Sequence, residues 1–116
     1  MKNNQVFNYE EMLALYLNDE KMVKDTILFF REKGAEKIEL MKQALAKKNF
    51  LELNFQSHAL KGDSHNLCAP KLAEQAEKIE LLAKDQINHD YEAELTLIEE
   101  YFKDFLLASE DFVTAP

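Results

Sequence analysis

The first 69 residues contain no proline, and the whole chain holds only two glycines, Gly34 and Gly62. Proline and glycine are the residues that break helices and make tight turns. A chain this poor in both has few places to reverse direction, so its elements must be long and joined by short breaks. No stretch sustains the two-residue apolar alternation of a half-buried strand. The same scarcity removes two nucleotide-binding classes. A phosphate-cradling loop needs GxxxxGK[ST] and a dinucleotide fold needs GxGxxG, and neither can be written with these two glycines.

The helices can be placed from caps and periodicity. Asn8 caps a short helix over Tyr9 to Leu17, and Asn18-Asp19 caps a run in which Val23, Ile27 and Phe30 share a face. Gly34 interrupts that run and is expected to kink or end it. A segment from Glu36 to Lys48 then places Ile38, Met41 and Leu45 on one stripe. Asn49 opens a helix from Phe50 to Leu67, and Ala69-Pro70 starts another, since proline is well tolerated in a first turn. The latter aligns Leu72, Ala76, Ile79 and Ala83. After a break at Asn88 to Asp90, Tyr91, Leu95, Ile98, Phe102 and Phe105 form the cleanest apolar stripe. The tail after Ala108 lacks periodicity and is expected to be loose.

Amphipathic helices of this length cannot bury their stripes separately. The expectation is an all-α, antiparallel up-and-down four-helix bundle with an additional short N-terminal helix. It would form one domain over residues 1–116, with an ordered core at about 8–108. The 116 residues suffice for one core without staples, and the single Cys68 excludes an internal disulfide framework. With 22 acidic against 14 basic residues the formal net charge is -8, which repels nucleic acid and anionic lipid. No apolar run reaches the length that spans a bilayer, and the polar start lacks a signal peptide's apolar stretch. A cytoplasmic protein binding neither membrane nor nucleic acid is expected.

Chemistry concentrates on the helix that begins at Phe50. At about 100° per residue, Phe50, Leu53, Ser57, Leu60, Ser64 and Leu67 face the core, and His58 points nearly the opposite way. Gly62 lies four residues on, beside His58, and Leu51 and Phe55 fall on the same outward side. A mid-helix glycine costs about 1 kcal/mol relative to alanine, and outward Leu and Phe expose apolar area. Geometry alone admits two readings. Another molecule must reach the imidazole closely, or His58 is an ordinary solvated residue beside a tolerated defect. For Phe55 the alternative to docking is burial under the N-terminal helix. A metal site from His58, His65 and Cys68 is disfavoured because they do not converge on one ion. No Glu-x-x-His pair, HExxH or nucleophile elbow occurs.

The stretch His58-Ala-Leu-Lys-Gly-Asp-Ser-His-Asn-Leu-Cys-Ala-Pro-Lys-Leu72 resembles the signature of histidine-containing phosphotransfer (HPt) domains, H-x-L-K-G-x-x-x-x-[LI]-G-A-x-x-L. His58, Leu60, Lys61, Gly62, Leu67, Ala69 and Leu72 stand in matching places. Asn18-Asp19-Glu20, Phe29-Phe30, Ala44-Leu45 and Asn49-Phe50 are similar to the family's N-terminal half, and Ile79-Glu80 to its usual Leu-Glu pair. Cys68 departs from the family's glycine at the end of that helix.

The resemblance implies a phosphorelay intermediate without its own ATP site. His58 would take a phosphoryl group from a receiver-domain aspartate, in a response regulator or hybrid kinase, and pass it to another receiver. It would need no cofactor of its own, with Mg²⁺ supplied by the receiver, and it would act as a monomer. Lys61 would offer a cation to the phosphoryl oxygens, and Gly62 would clear space for the receiver. Glu80 would accept from the ring Nδ1–H, with Lys84 its i,i+4 partner. Leu51, Phe55 and His65 would contact the partner. A helical adaptor without phosphotransfer, in effect a degenerate HPt domain, is the competing reading.

Overall fold

The computed structural model describes residues 4–114 as five α-helices, with no strand among them. They are α1 (Tyr9–Leu15), α2 (Glu20–Ala46), α3 (Phe50–Asn66), α4 (Pro70–Lys84) and α5 (Tyr91–Thr114). Each start has a local cause. The Asn8, Asp19 and Asn49 side chains accept from the backbone N–H three residues on, and Pro70 occupies the first turn of α4. Asp90 does the same for Ala93 at the head of α5.

The helix ends are built without glycine. Leu17, Lys48, Cys68 and Gln86 each adopt a positive φ between 50° and 56° just past a helix. The following N–H reaches back five residues in every case, as in Asn49 N to Ala44 O at 2.8 Å and Ala69 N to Ser64 O at 2.9 Å. This is the Schellman closure, which satisfies the last carbonyls and turns the chain sharply. The family's usual glycine at position 68 therefore stands where the backbone is left-handed, and here Cys68 adopts that conformation with its side chain buried.

Two expectations are corrected. Gly34 neither ends nor kinks α2 into two elements, and the segment expected after it is the second half of a single 27-residue helix. At 1.5 Å per residue such a helix is about 40 Å long, close to the 45 Å long axis of the molecule. Gly34 is buried because α5 crosses it closely. A Cβ there would stand 2.8 Å from Phe102 Cε1 and 3.0 Å from Phe30 Cζ. The second correction concerns the C-terminus. Residues beyond Ala108 are helical as far as Thr114, with Ser109 and Val113 buried. Phe112 stacks on Tyr9 at 3.9 Å between centroids, and Arg31 donates to Leu106 O at 2.9 Å and to Ser109 Oγ at 3.3 Å. These contacts come from distant segments, so local periodicity could not announce them. Residues 115–116 of the expected tail lie outside the described residues.

The stripes named from the sequence meet in one core. Val23, Ile27, Phe30, Leu53, Leu60, Leu72, Ala76, Ile79, Leu95, Ile98 and Phe105 are all buried. Burial of this apolar surface is the main force holding the helices together. α3 packs most extensively on α4, whose buried face is rich in alanine at positions 73, 76 and 83. Small side chains on one helix let the partner approach closely. α2 flanks α3 on its other side, with Lys37 paired to Asp63. The side of α3 away from these contacts is left bare.

Candidate functional site

α3 carries its core side chains on one face because Leu53, Ser57, Leu60 and Ser64 recur at helical spacing, and all four are buried. The two serines return their hydroxyls to carbonyls four residues back, Leu53 O at 2.6 Å and Leu60 O at 2.7 Å, so they enter the core with a partner. His58 then projects outward, with 68% of its side chain exposed.

The ring is nevertheless held. Its Nδ1 lies 2.5 Å from Glu80 Oε2 on α4, and Glu80 is only 12% exposed. Burial by itself would raise the Glu80 carboxyl, but the Lys61 ammonium and the His58 ring outweigh it and hold the group below its usual range. An ionised carboxylate only accepts hydrogen bonds, so Nδ1 carries the proton. In the neutral ring the lone pair then resides on Nε2, which has no hydrogen-bond partner among the described residues. A histidine in that state presents a nucleophilic nitrogen to solvent.

Lys61 Nζ stands 2.7 Å from Glu80 Oε1, and this contact raises the lysine pKa. At that distance the ammonium and the carboxylate form a close salt bridge. Lys61 is thus placed in contact with Glu80. Its cation offsets the charge of the carboxylate that holds the ring. Lys84 is reassigned. Among the described residues Glu80 is paired with His58 and Lys61, and Lys84 is exposed and makes no ion pair with it. The i,i+4 spacing allowed that pair, but the carboxylate turns towards α3, where burial makes its two partners worth more.

Gly62 is exposed, and a Cβ built on it would meet nothing within 4 Å. No internal contact calls for glycine there. Leu51 is 82% exposed and Phe55 64%, so Phe55 is not covered by α1. His65 is exposed one turn beyond Gly62 on the same helix. Cys68 is buried, and its thiol is pushed up to about 11 by burial, with Glu11 adding to the effect. It is a structural side chain, unsuited to act as a thiolate. Among the described residues no group of three or more His, Cys, Asp or Glu side chains could hold a metal ion.

Two features escaped the sequence reading. Asn54, one turn before His58, donates Nδ2 to the Glu80 backbone carbonyl at 2.9 Å. Its position four residues before His58 was the available signal. The other is a second histidine–carboxylate–lysine group at the junction of α4 and α5. Glu94, 7% exposed, accepts from His89 Nε2 at 2.5 Å, Lys78 Nζ at 2.9 Å and Gln75 Nε2 at 2.8 Å. These residues are scattered over 20 positions, and nothing in their spacing announces the cluster.

The Hpt domain family model matches residues 26–108, most of the chain. The fold is similar to the crystal structure, at 1.80 Å, of the HPT domain from the Hpt sensor hybrid histidine kinase of Shewanella. That likeness covers 98% of both chains, with a TM-score of 0.84 at 16% sequence identity. No curated protein matches the chain. No helix among the described residues is long and apolar enough to cross a membrane.

Proposed function

Because the chain belongs to the Hpt domain family, a phosphotransfer module of two-component signalling, we propose that His58 takes a phosphoryl group from a receiver-domain aspartate and passes it to another receiver. The observation that carries this reading is the ring's engagement. Nδ1 is bound to a half-buried carboxylate while Nε2 is unengaged in an exposed ring beside a bare glycine.

The step balances without a proton transfer. The Nε2 lone pair forms a bond to phosphorus as the bond from phosphorus to the aspartyl oxygen breaks, and the aspartate departs as carboxylate. The ring becomes cationic, and Glu80, already ionised, lies against its Nδ1–H where the charge develops. Lys61 keeps Glu80 ionised in its half-buried setting. The receiver brings the Mg²⁺ that neutralises the phosphoryl oxygens, so this chain supplies position and a nucleophile. Gly62 leaves the approach open, and Leu51, Phe55 and His65 form the flanking contact surface for the receiver.

Within this reading the chain is a phosphocarrier, not an ATP-dependent kinase. It works as a single cytoplasmic domain and as a monomer, free of nucleic acid and membrane, its four longer helices in the antiparallel up-and-down arrangement. The test is incubation with a phosphorylated receiver and Mg²⁺. Acid-labile, base-stable label should appear on the wild type and be absent from His58→Gln. Equal labelling of the variant overturns the role of His58. A wild type that binds phosphorylated receivers and takes up no label is instead an adaptor docking through Leu51 and Phe55.

A further inference from the structure

We propose that Asn54 is a positioning residue for the accepting imidazole, acting through Glu80, an inference that rests on the phosphotransfer reading of His58. Among the described residues, the side-chain hydrogen bonds and close ion pairs between α3 and α4 end on Glu80. His58 takes Oε2, Lys61 takes Oε1, and Asn54 takes the backbone carbonyl. The three α3 residues stand at i, i+4 and i+7, one stripe on the flank that faces α4.

The division of labour is physical. Leu53, Leu60, Leu72, Ala76 and Ile79 bring the two helices together, but apolar contact is non-directional and fixes sliding along the axis weakly. The alanine-rich face of α4 leaves few large side chains to lock the register. An amide N–H donating to a carbonyl is directional and loses its strength within a few tenths of an ångström. Asn54 is half-buried, and its amide uses a carbonyl lone pair that the helix ladder leaves spare. It therefore fixes the Cα from which the Glu80 carboxylate projects. The 2.5 Å contact to Nδ1 depends on that placement, and with it the tautomer that leaves Nε2 as the nucleophile.

The test combines a spectroscopic and a kinetic measurement on the whole chain. In Asn54→Ala, ¹⁵N shifts of the His58 ring should show the Nε2–H tautomer gaining population. Phosphoryl uptake, from a receiver or from phosphoramidate, should fall about 10-fold, the scale of a displaced reacting group. In a Glu80→Ala background the same change should alter uptake less than about twofold, because the route from Asn54 to the ring is already cut. Asn54→Asp, which keeps the shape and aims an acceptor at the carbonyl, should match or exceed the alanine effect. Far-UV circular dichroism confirms that the compared variants are folded.

An unchanged tautomer ratio in both folded variants overturns the proposal. So does an equal loss of uptake with and without Glu80. If the wild type accepts no phosphoryl group from either donor, the reading of His58 as acceptor fails. The tautomer ratio still decides the role of Asn54, since it needs no transfer.

Discussion

The molecule contains the same trio twice, a histidine and a lysine on one glutamate largely withdrawn from solvent, and the two copies do different things. At α3–α4, His58 meets Glu80 through Nδ1 and leaves Nε2 in an exposed ring next to Gly62. At α4–α5, His89 meets Glu94 through Nε2, with half the exposure, and Tyr91 lies edge-on to the ring at 6.0 Å. Glu94 takes a further side-chain donor, Gln75, which also reaches its backbone carbonyl at 3.1 Å. Each ring engages one nitrogen, and the first trio leaves Nε2 in the more exposed ring, beside Gly62. The second spends its groups on joining α4, the connecting loop and α5. Residue types therefore do not define the site; which ring nitrogen is free, and what can approach it, do.

Exchanging the two histidines in turn tests that distinction most severely. His58→Gln should abolish phosphoryl uptake with little change in melting temperature. His89→Gln should keep uptake within about twofold while lowering stability by about 1 kcal/mol, the net worth of a typical hydrogen bond. Transfer assays paired with thermal melts measure both, and a reversed pattern would merge the two regions into one functional class.

Acid should separate the carboxylates next. The lysine, histidine and glutamine partners outweigh burial and lower Glu94 from 4.5 to about 2. A folded-state value below the unfolded one contributes stability at neutral pH that is lost as pH falls from about 4.5 towards 2. The contribution is roughly 3 kcal/mol. Urea unfolding of Glu94→Gln should show a loss of about 2 kcal/mol at pH 7 and a much smaller difference from wild type near pH 2. A gap that persists in acid would show that Glu94 acts through packing alone.

The two glycines repeat the contrast between an open and a filled site. Gly62→Ala should stabilise the protein by about 1 kcal/mol, because an exposed helix interior gains propensity and nothing is crowded. Gly62→Gln should slow transfer severalfold at unchanged helix content. Gly34→Ala forces a methyl against Phe102 and Phe30, and should destabilise by about 1 kcal/mol net. Chemical denaturation read beside transfer rates checks all three. Equal transfer by Gly62→Gln removes the steric account of that glycine.

The smallest effect belongs to the helix ends. Lys48 and Gln86 are exposed with φ of 53° and 50°, so replacing either with glycine should stabilise by about 0.5 kcal/mol. Relief of left-handed strain is partly cancelled by the freer unfolded chain. Guanidine midpoints at constant slope would register it.

Much of this was legible in the chain because the causes are local. Asn8, Asp19, Asn49 and Pro70 start helices through contacts within one turn, and the stripes through Leu53, Ile79 and Ile98 follow from 3.6-residue periodicity. His58 and Gly62 were visible as an outward pair on the same logic. Gly34 misled because a glycine's cost in an isolated helix is repaid here by α5 packing over it, a contact 68 residues away in sequence.

The sequence by itself determined the helices, their buried faces and the imidazole turned to solvent, since each depends on neighbours a few residues apart. Only the tertiary structure decided which nitrogen of that imidazole is free, where the Lys61 charge goes and why Asn54 matters. Those outcomes depend on the register of α3 against α4. That register is set to tenths of an ångström by hydrogen bonds across helices, which no periodicity along one helix encodes.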